Sequence, residues 1–478
     1  MESKMTSVAK HPHVIFVVLD TLCADRLSCY GYQHPTSPNL DRLARSGWLF
    51  ENAIASSCWT LPSQSSLFTG LHPFEHGAND ENLYLSDEIP TLAELFRQIG
   101  YETIAYALDN MWLSQATNLS RGFNRFFDAN YKFPPPAGSP ILRKINHKIR
   151  PLLKIRDQHR STLVIKKVIE RLSQWSPPEA PLFIYMNLMD THMPYHPAHR
   201  FCKKFGLKNA DPDDVQHLQK NFKQIRTRPD ALTNRQLSTL NGLYDACVAS
   251  ADRRLARLWK FLDRQKYQNN TIIVATSDHG EHLGEHNLLN HWFSLHDILL
   301  KVPLIITFPP KLTPSRRITP QVQQHHLFHT LLDLIDYQGP LIPPEQIKAN
   351  SFLEYVKGRI PFPEYTYAEH AYPATNLFYF KKQNPDFNDK NLFCAKQAVR
   401  TNQFKYIRYG SGREELFHLE TDPGETKNVR ADYPQIAETL KQKLDQKRAR
   451  VKTRPPDAVN IRDFDPVVKK RLADLGYI

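Results

Sequence analysis

Two short stretches of the chain carry groups that could do chemistry together. The segment SSCWTLPSQSSLFTG (56–70) sets a cysteine, threonines and serines around Pro62, ahead of a run that reads as a helix and stops at Gly70. Each of these hydroxyls or the thiol could attack an ester, provided a base or a metal ion draws off its proton. The segment SDHGEHLGEH (277–286) holds Asp278, His279, Glu281, His282, Glu285 and His286, and His291 and His296 follow closely. One histidine beside one aspartate is more often structural than functional. Carboxylates and imidazoles at this density suit a metal ion better than packing.

These groups need elements to position them. VIFVVLD (14–20), TIAYALD (103–109), LFIYMNLMD (182–190) and TIIVATSD (271–278) are nearly continuous apolar runs, the pattern of strands buried on both faces. Helical patterns such as SPNLDRLARSG and TLAELFRQIG separate them, so a mostly parallel sheet with helices on both faces is expected. Each run ends on an aspartate (Asp20, Asp109, Asp190, Asp278), and ligands of open α/β sheets bind beyond the carboxyl ends of the strands. All four therefore read as site candidates, against the alternative that each merely caps a following turn. After about residue 345 the pattern changes. YTYAEHAY, FCAKQAVRTN, FKYIRYG and EELFHLE read as a small antiparallel sheet, followed by a charged helix, which divides the chain into 1–345 and 346–478.

Composition narrows the classes. Of 478 residues, 41% are hydrophobic and 23% charged, so the chain can build a core. No apolar run approaches the roughly 20 residues that cross a bilayer. VIFVVL is too short for a secretory leader and ends on an aspartate, which gives a cytoplasmic expectation. Six scattered cysteines without a C-x-x-C pattern fit reduced thiols. The net charge of +13 favours anionic partners. Much of it lies in 141–172, which reads as a solvated amphipathic insertion or as a surface that docks peripherally on an anionic polymer or membrane. No nucleic-acid motif accompanies it, and nothing in the sequence fixes the oligomeric state.

The ordered motifs resemble the sulfatase family of the alkaline phosphatase superfamily over nearly the whole chain. VVLDTLCADRLSCYGY is similar to that family's first strand and metal loop, TLPSQSSLFTGLHP to its nucleophile helix, and SDHGEHLGEHNLLNHWFSLHDILLKVPLII to its second metal loop. VRTNQFKYIRY with EELFHLETDPGETKNV is similar to its C-terminal signature, as is the ending KKRLADLGYI. The resemblance implies an α/β/α sandwich with a smaller antiparallel C-terminal subdomain.

It also orders the candidates. Sulfatases carry C-x-P-S-R, whose cysteine is oxidised to formylglycine. Here the segment is TLPSQ, so Thr60 stands at the nucleophile position, Gln64 replaces the arginine, and Cys58 lies two residues too early and reads as a small buried filler. The resemblance implies Asp20, Thr60, Asp278 and His279 as metal ligands. Thr21 stands where a second aspartate is usual and His279 where many members have asparagine, so zinc or manganese is expected ahead of calcium or magnesium. His192, in MDTHMPYHP, and His291 are implied as anion-contacting or proton-transferring groups, Asn110 as a lesser anion contact, and His196 as structural. The expected activity is hydrolysis or transfer at a phosphate ester, with a phosphodiester or a phosphorylated glycan as substrate, through a phosphothreonine. The alternatives are a sulfatase that lacks formylglycine and an inactive anion-binding homologue.

Overall fold

The computed structural model describes residues 11–128, 160–374 and 390–449, apart from 178, 208–209, 227–229 and 231, together with 377, 380–381 and 469. Residues 141–159 of the basic segment and most of the KKRLADLGYI ending lie outside the described residues. The rest of the basic segment begins the helix Ser161–Gln174, which buries Val164, Ile165, Val168 and Leu172 and pairs Lys167 with Glu170 on its outer side.

A nine-stranded sheet runs in the order β10-β2-β9-β6-β1-β5-β3-β4, with β11 pairing to β2. The four apolar runs are its centre: β6 (Thr271–Thr276), β1 (His13–Leu19), β5 (Leu182–Leu188) and β3 (Glu102–Tyr106), each parallel to its neighbour. Of the remaining strands, β4 (Arg125–Phe127) joins β3 in parallel, while β9 (Lys301–Thr307) runs antiparallel between β6 and β2 (Trp48–Ile54). The edge strands β10 (Arg316–Ile318) and β11 (Val322–Gln323) pair in parallel with β2. Alternation along β1 separates the two layers of core. Val14, Phe16 and Val18 pack with the helix Thr60–Thr69, and Ile15, Val17 and Leu19 pack with the long helix Asn234–Arg264. This is the expected α/β/α sandwich.

A second, four-stranded antiparallel sheet comprises β12 (Thr366–His370), β13 (Lys396–Arg400), β14 (Phe404–Tyr409) and β15 (Glu414–His418). The helix Pro434–Ala449 covers it with Ala437, Leu440 and Leu444. The end of β12 reaches the loop before the helix Thr60–Thr69, where Glu369 N–H donates to Ser56 O at 3.0 Å and Ser57 Oγ donates to Glu369 O at 2.7 Å. No helix among the described residues is long and apolar enough to cross a membrane.

Candidate metal and nucleophile site

The site forms beyond the carboxyl ends of β1 and β6, which are neighbours in the sheet. Each strand feeds a sharp loop, and the two loops are fastened to each other. Leu22 N–H donates to Ser277 Oγ at 2.8 Å, and Ser277 Oγ in turn reaches the carbonyls of Leu19 and His279 at 2.7 Å each. Tyr244 from the long helix donates to Thr21 O at 2.7 Å and accepts from Cys23 N–H at 2.9 Å. After His279 the chain turns against Ile298, and a Cβ on Gly280 would lie 2.0 Å from the Ile298 carbonyl. Only glycine permits that approach, which holds the His279 ring over the sheet edge.

Asp20, Asp278 and His279 each offer a ligand atom, and these atoms lie within 4.8 Å of one another, all fully buried. Thr60 completes the group, its Oγ1 lying 3.3 Å from His279 Nε2. Because His279 Nδ1 faces the Gly280 carbonyl at 3.0 Å, that nitrogen carries the ring proton and Nε2 presents a lone pair to Thr60. Thr60 is the first residue of the helix Thr60–Thr69, with Trp59 at the cap position. Its hydroxyl lies beside the His279 ring of the cluster.

Charge in this cluster is out of balance. Burial pushes the Asp20 carboxyl well above its ordinary range, and the neighbouring carboxylates of Asp278 and Glu281 add to the effect. Asp20 Oδ1 is buried without a hydrogen-bond partner, and among the described residues Asp278 has only the His279 ring as an ion-pair neighbour, at 3.7 Å. Two carboxylates, an imidazole with a free lone pair and a hydroxyl therefore fit a divalent cation, which would supply the missing positive charge.

Around this group stand residues that the sequence alone did not assign. Gln64, one helical turn beyond Thr60, donates from Nε2 to Asp278 Oδ2 at 3.0 Å, and Tyr185 OH fixes the amide by donating to Gln64 Oε1 at 2.7 Å. The glutamine at the position of the family's arginine thus orients the Asp278 carboxylate. Asn187 donates to Asp20 Oδ2 at 3.4 Å, and a lone amide in the apolar run LFIYMNLMD was the available signal. Glu281, fully buried, sets Oε1 3.2 Å from His291 Nδ1 and leaves His291 Nε2 buried and unpartnered. The His291 ring lies 4.5 Å from that of His279 and 5.2 Å from that of His192. Burial, then the His279 and His192 rings, hold His291 well below the usual imidazole range. His192 Nδ1 donates to Met193 O at 2.6 Å, which fixes its tautomer too.

Several expectations are corrected. Asn110 Nδ2 donates to Asp20 Oδ2 at 2.8 Å and its Oδ1 accepts from Trp112 N–H at 2.9 Å, so it orients a carboxylate rather than facing an anion. Asp190 binds Ser161 and Arg254, and Asp109 pairs with Arg160 at 3.6 Å, both with the neighbouring helix Ser161–Gln174 and its approach. Both turn to the layer of the helices Ser161–Gln174 and Asn234–Arg264, so two of the four strand-end aspartates, Asp20 and Asp278, join the cluster. His282, His286 and His296 form a separate group, with the His286 and His296 rings stacked at 3.7 Å and His296 against Phe417 of β15. Thr21 turns its hydroxyl to Thr191 O at 2.8 Å. Cys58 is a buried filler, its thiol pushed up to about 12 by burial.

A family model described as sulfatase matches residues 12–337, and one described as N-sulphoglucosamine sulphohydrolase, C-terminal, matches 284–450. The chain is 24% identical to N-acetylglucosamine-6-O-sulfatase of Bacteroides thetaiotaomicron, with 94% of this chain and 88% of the relative covered. It is 26% identical to iduronate 2-sulfatase of Homo sapiens over 64% of this chain and 62% of the relative. Among solved structures it resembles the phosphonate monoester hydrolase of Agrobacterium radiobacter, with a TM-score of 0.72, 21% identity, and 92% and 96% of the two chains covered. A protein solved with its substrate D-glucosamine-2-N,6-O-disulfate superposes with a TM-score of 0.68 at 18% identity, over 92% and 98% of the chains.

Proposed function

The chain belongs to the sulfatase family, and from that premise we propose that it is a divalent-metal-dependent hydrolase or transferase of an anionic ester that works through Thr60 and takes phosphate esters in preference to sulfate esters. The observation that carries this reading is the Thr60 hydroxyl, held 3.3 Å from His279 Nε2 at the start of a helix and beside two buried carboxylates. Asp20, Thr60, Asp278 and His279 would hold the cation, which when bound acidifies the hydroxyl and neutralises the anionic ester. The mixed carboxylate and imidazole set favours zinc or manganese over calcium, which takes 6–8 oxygens.

The residues then divide the work. Thr60 enters as the alkoxide, its proton having passed to solvent when the cation is held. Its Oγ1 forms a bond to phosphorus as the bond from phosphorus to the leaving alcohol oxygen breaks, and the second displacement releases the same alkoxide. The leaving oxygen takes a proton from the imidazolium Nε2 of His192 or His291, and the anionic substrate favours this protonated form against the burial that holds His291 neutral in the free protein. Water or an acceptor hydroxyl next attacks phosphorus, the bond to Thr60 oxygen breaks, and the attacking proton returns to the imidazole. The first N–H groups of the helix Thr60–Thr69 favour the anion throughout.

The preference for phosphorus follows from the nucleophile. A formylglycine hydrate releases sulfate by collapsing to the aldehyde, whereas a threonyl ester has no such route and needs a second displacement. A sulfatase without formylglycine is the second reading, supported by the relatives that act on sulfate esters. Steady-state kinetics on 4-nitrophenyl phosphate, bis(4-nitrophenyl) phosphate and 4-nitrophenyl sulfate with added zinc or manganese separates the two. At least one phosphorus ester should exceed the sulfate ester by about 100-fold in kcat/KM, about 2.7 kcal/mol. The reverse order establishes the sulfatase reading, and no turnover of any ester at stoichiometric metal defeats both.

A further inference from the structure

The hairpin that follows His279 sets two buried side chains against each other. β7 (His282–Leu283) pairs antiparallel with β8 (Leu289–Asn290), His282 opposite Asn290 and Leu283 opposite Leu289. The next rung outward puts Glu281 opposite His291, and there Glu281 Oε1 meets His291 Nδ1 at 3.2 Å. Side chains alternate between the two faces of a strand, so this rung and the rung of His282 and Asn290 face opposite ways. His282 accordingly joins His286 and His296, whereas the His291 ring lies 4.5 Å from that of His279.

The register is held on both strands. Gly284 opens the turn at a φ of 122°, where a Cβ would come 2.9 Å from Leu237 of the long helix, and Asn241 of that helix donates to Leu283 O at 3.0 Å. Glu281 N–H donates to Cys23 Sγ at 3.2 Å, which ties the rung to the loop after β1. Beyond His291, Trp292 lies under the Arg226 guanidinium, whose carbon is 4.3 Å from the ring centroid.

His192 and His291 therefore differ in what holds Nδ1. The Met193 carbonyl that receives His192 Nδ1–H can only accept, so the neutral His192 ring has a lone pair and no proton at Nε2. The group at His291 Nδ1 is a fully buried carboxyl, which can share a proton with the ring. A single proton between Oε1 and Nδ1 fills that side of the ring, so the proton the ring can give away is the one on Nε2. Among the described residues His291 Nε2 is buried without a hydrogen-bond partner, next to the imidazole that faces Thr60.

We propose that Glu281 is the positioning residue that makes His291, rather than His192, the proton donor to the leaving oxygen. The proposal rests on the reading that Thr60 displaces the leaving alcohol. The Nε2 proton passes to that oxygen, and the proton between Oε1 and Nδ1 stays within the pair.

Two measurements on the full-length, metal-loaded protein test this, with melting curves and metal analysis to confirm that each variant folds and keeps its cation. One needs no turnover: proton NMR should show a downfield ring-proton resonance in wild type that is absent from both Glu281→Ala and His291→Gln. The other compares 4-nitrophenyl phosphate, whose leaving group needs little protonation, with methyl phosphate, whose leaving group needs a full proton. Glu281→Ala and His291→Gln should each lose about tenfold or more in kcat on methyl phosphate beyond any loss on 4-nitrophenyl phosphate, with KM little changed. Glu281→Gln should fall between wild type and Glu281→Ala, because its amide oxygen still accepts from Nδ1, and it carries the comparison where Glu281→Ala does not fold. His192→Gln should lose both esters alike. A resonance that survives in Glu281→Ala, equal losses on the two esters in the Glu281 variants, or a leaving-group dependence in His192→Gln alone overturns the proposal. No turnover of either ester by wild type defeats the Thr60 reading, and the proton-donor role with it.

Discussion

Two buried clusters of charge lie at opposite ends of the second metal loop, and they are balanced differently. At its start, Asp20 and Asp278 face each other with Glu281 near them, and Asp20 has no cationic partner among the described residues. At its end, Asp297 binds Arg400 Nε at 3.0 Å and Lys405 Nζ at 2.8 Å, and Lys405 Nζ also binds Glu425 at 2.8 Å. Burial alone would raise both aspartates. At Asp297 the guanidinium and ammonium reverse that and hold the carboxyl well below its ordinary range, whereas at Asp20 a second carboxylate pushes it further up. The complete cluster fastens the loop to the antiparallel sheet. The incomplete one has to be completed from outside, and this is what marks it as the site.

The largest test of this contrast removes a ligand. Asp278→Ala and His279→Ala should each lose bound metal and more than about 10³-fold in kcat, the scale of a lost catalytic group. Metal analysis with steady-state kinetics checks both, and full metal occupancy in both variants would remove these residues from the site. The opposite cluster should respond in stability. Asp297→Ala leaves Arg400 and Lys405 facing each other and should cost about 3–5 kcal/mol of unfolding free energy, measured by denaturant titration, with metal content per folded molecule unchanged.

Acid should separate the clusters next. The folded carboxyl of Asp297 lies below its unfolded value, so its stabilisation is complete above about pH 4 and is lost as pH falls below that. Asp20 in metal-stripped protein lies above its unfolded value, so the destabilisation it causes is relieved as pH falls from 7 toward 4. Melting curves of stripped protein with Asp20→Asn and Asp297→Asn should therefore diverge in their pH slopes. The smallest effect is the Asn variant at neutral pH. Asp20→Asn should stabilise the stripped protein by roughly 1 kcal/mol, as removing an uncompensated charge does, and should weaken metal binding.

The sheet was legible because the four central strands are buried on both faces and read as continuous apolar runs. The cluster of Asp20, Asp278 and His279 was legible through the density of Asp and His around residue 278 and through motif resemblance. Contacts that depend on where a loop turns were not. Asp109 and Asp190 look equivalent to Asp20 in the sequence, and only the path after each strand sends them to Arg160 and Arg254. Asn110 needed Asp20 and Asn187 in space before its role could be read. The buried contact of Asp80 with His370 joins residues 290 positions apart, which no local pattern encodes.

The most direct measurement of the central claim is peptide mass spectrometry of the metal-loaded protein after reaction with a slow phosphodiester and acid quench. A phosphoryl group should be found on Thr60, absent in Thr60→Ala, which should keep much of its metal while losing about 10³-fold or more in kcat. A label on Ser63, Ser65 or Ser66, or near-wild-type turnover by Thr60→Ala, would contradict the account.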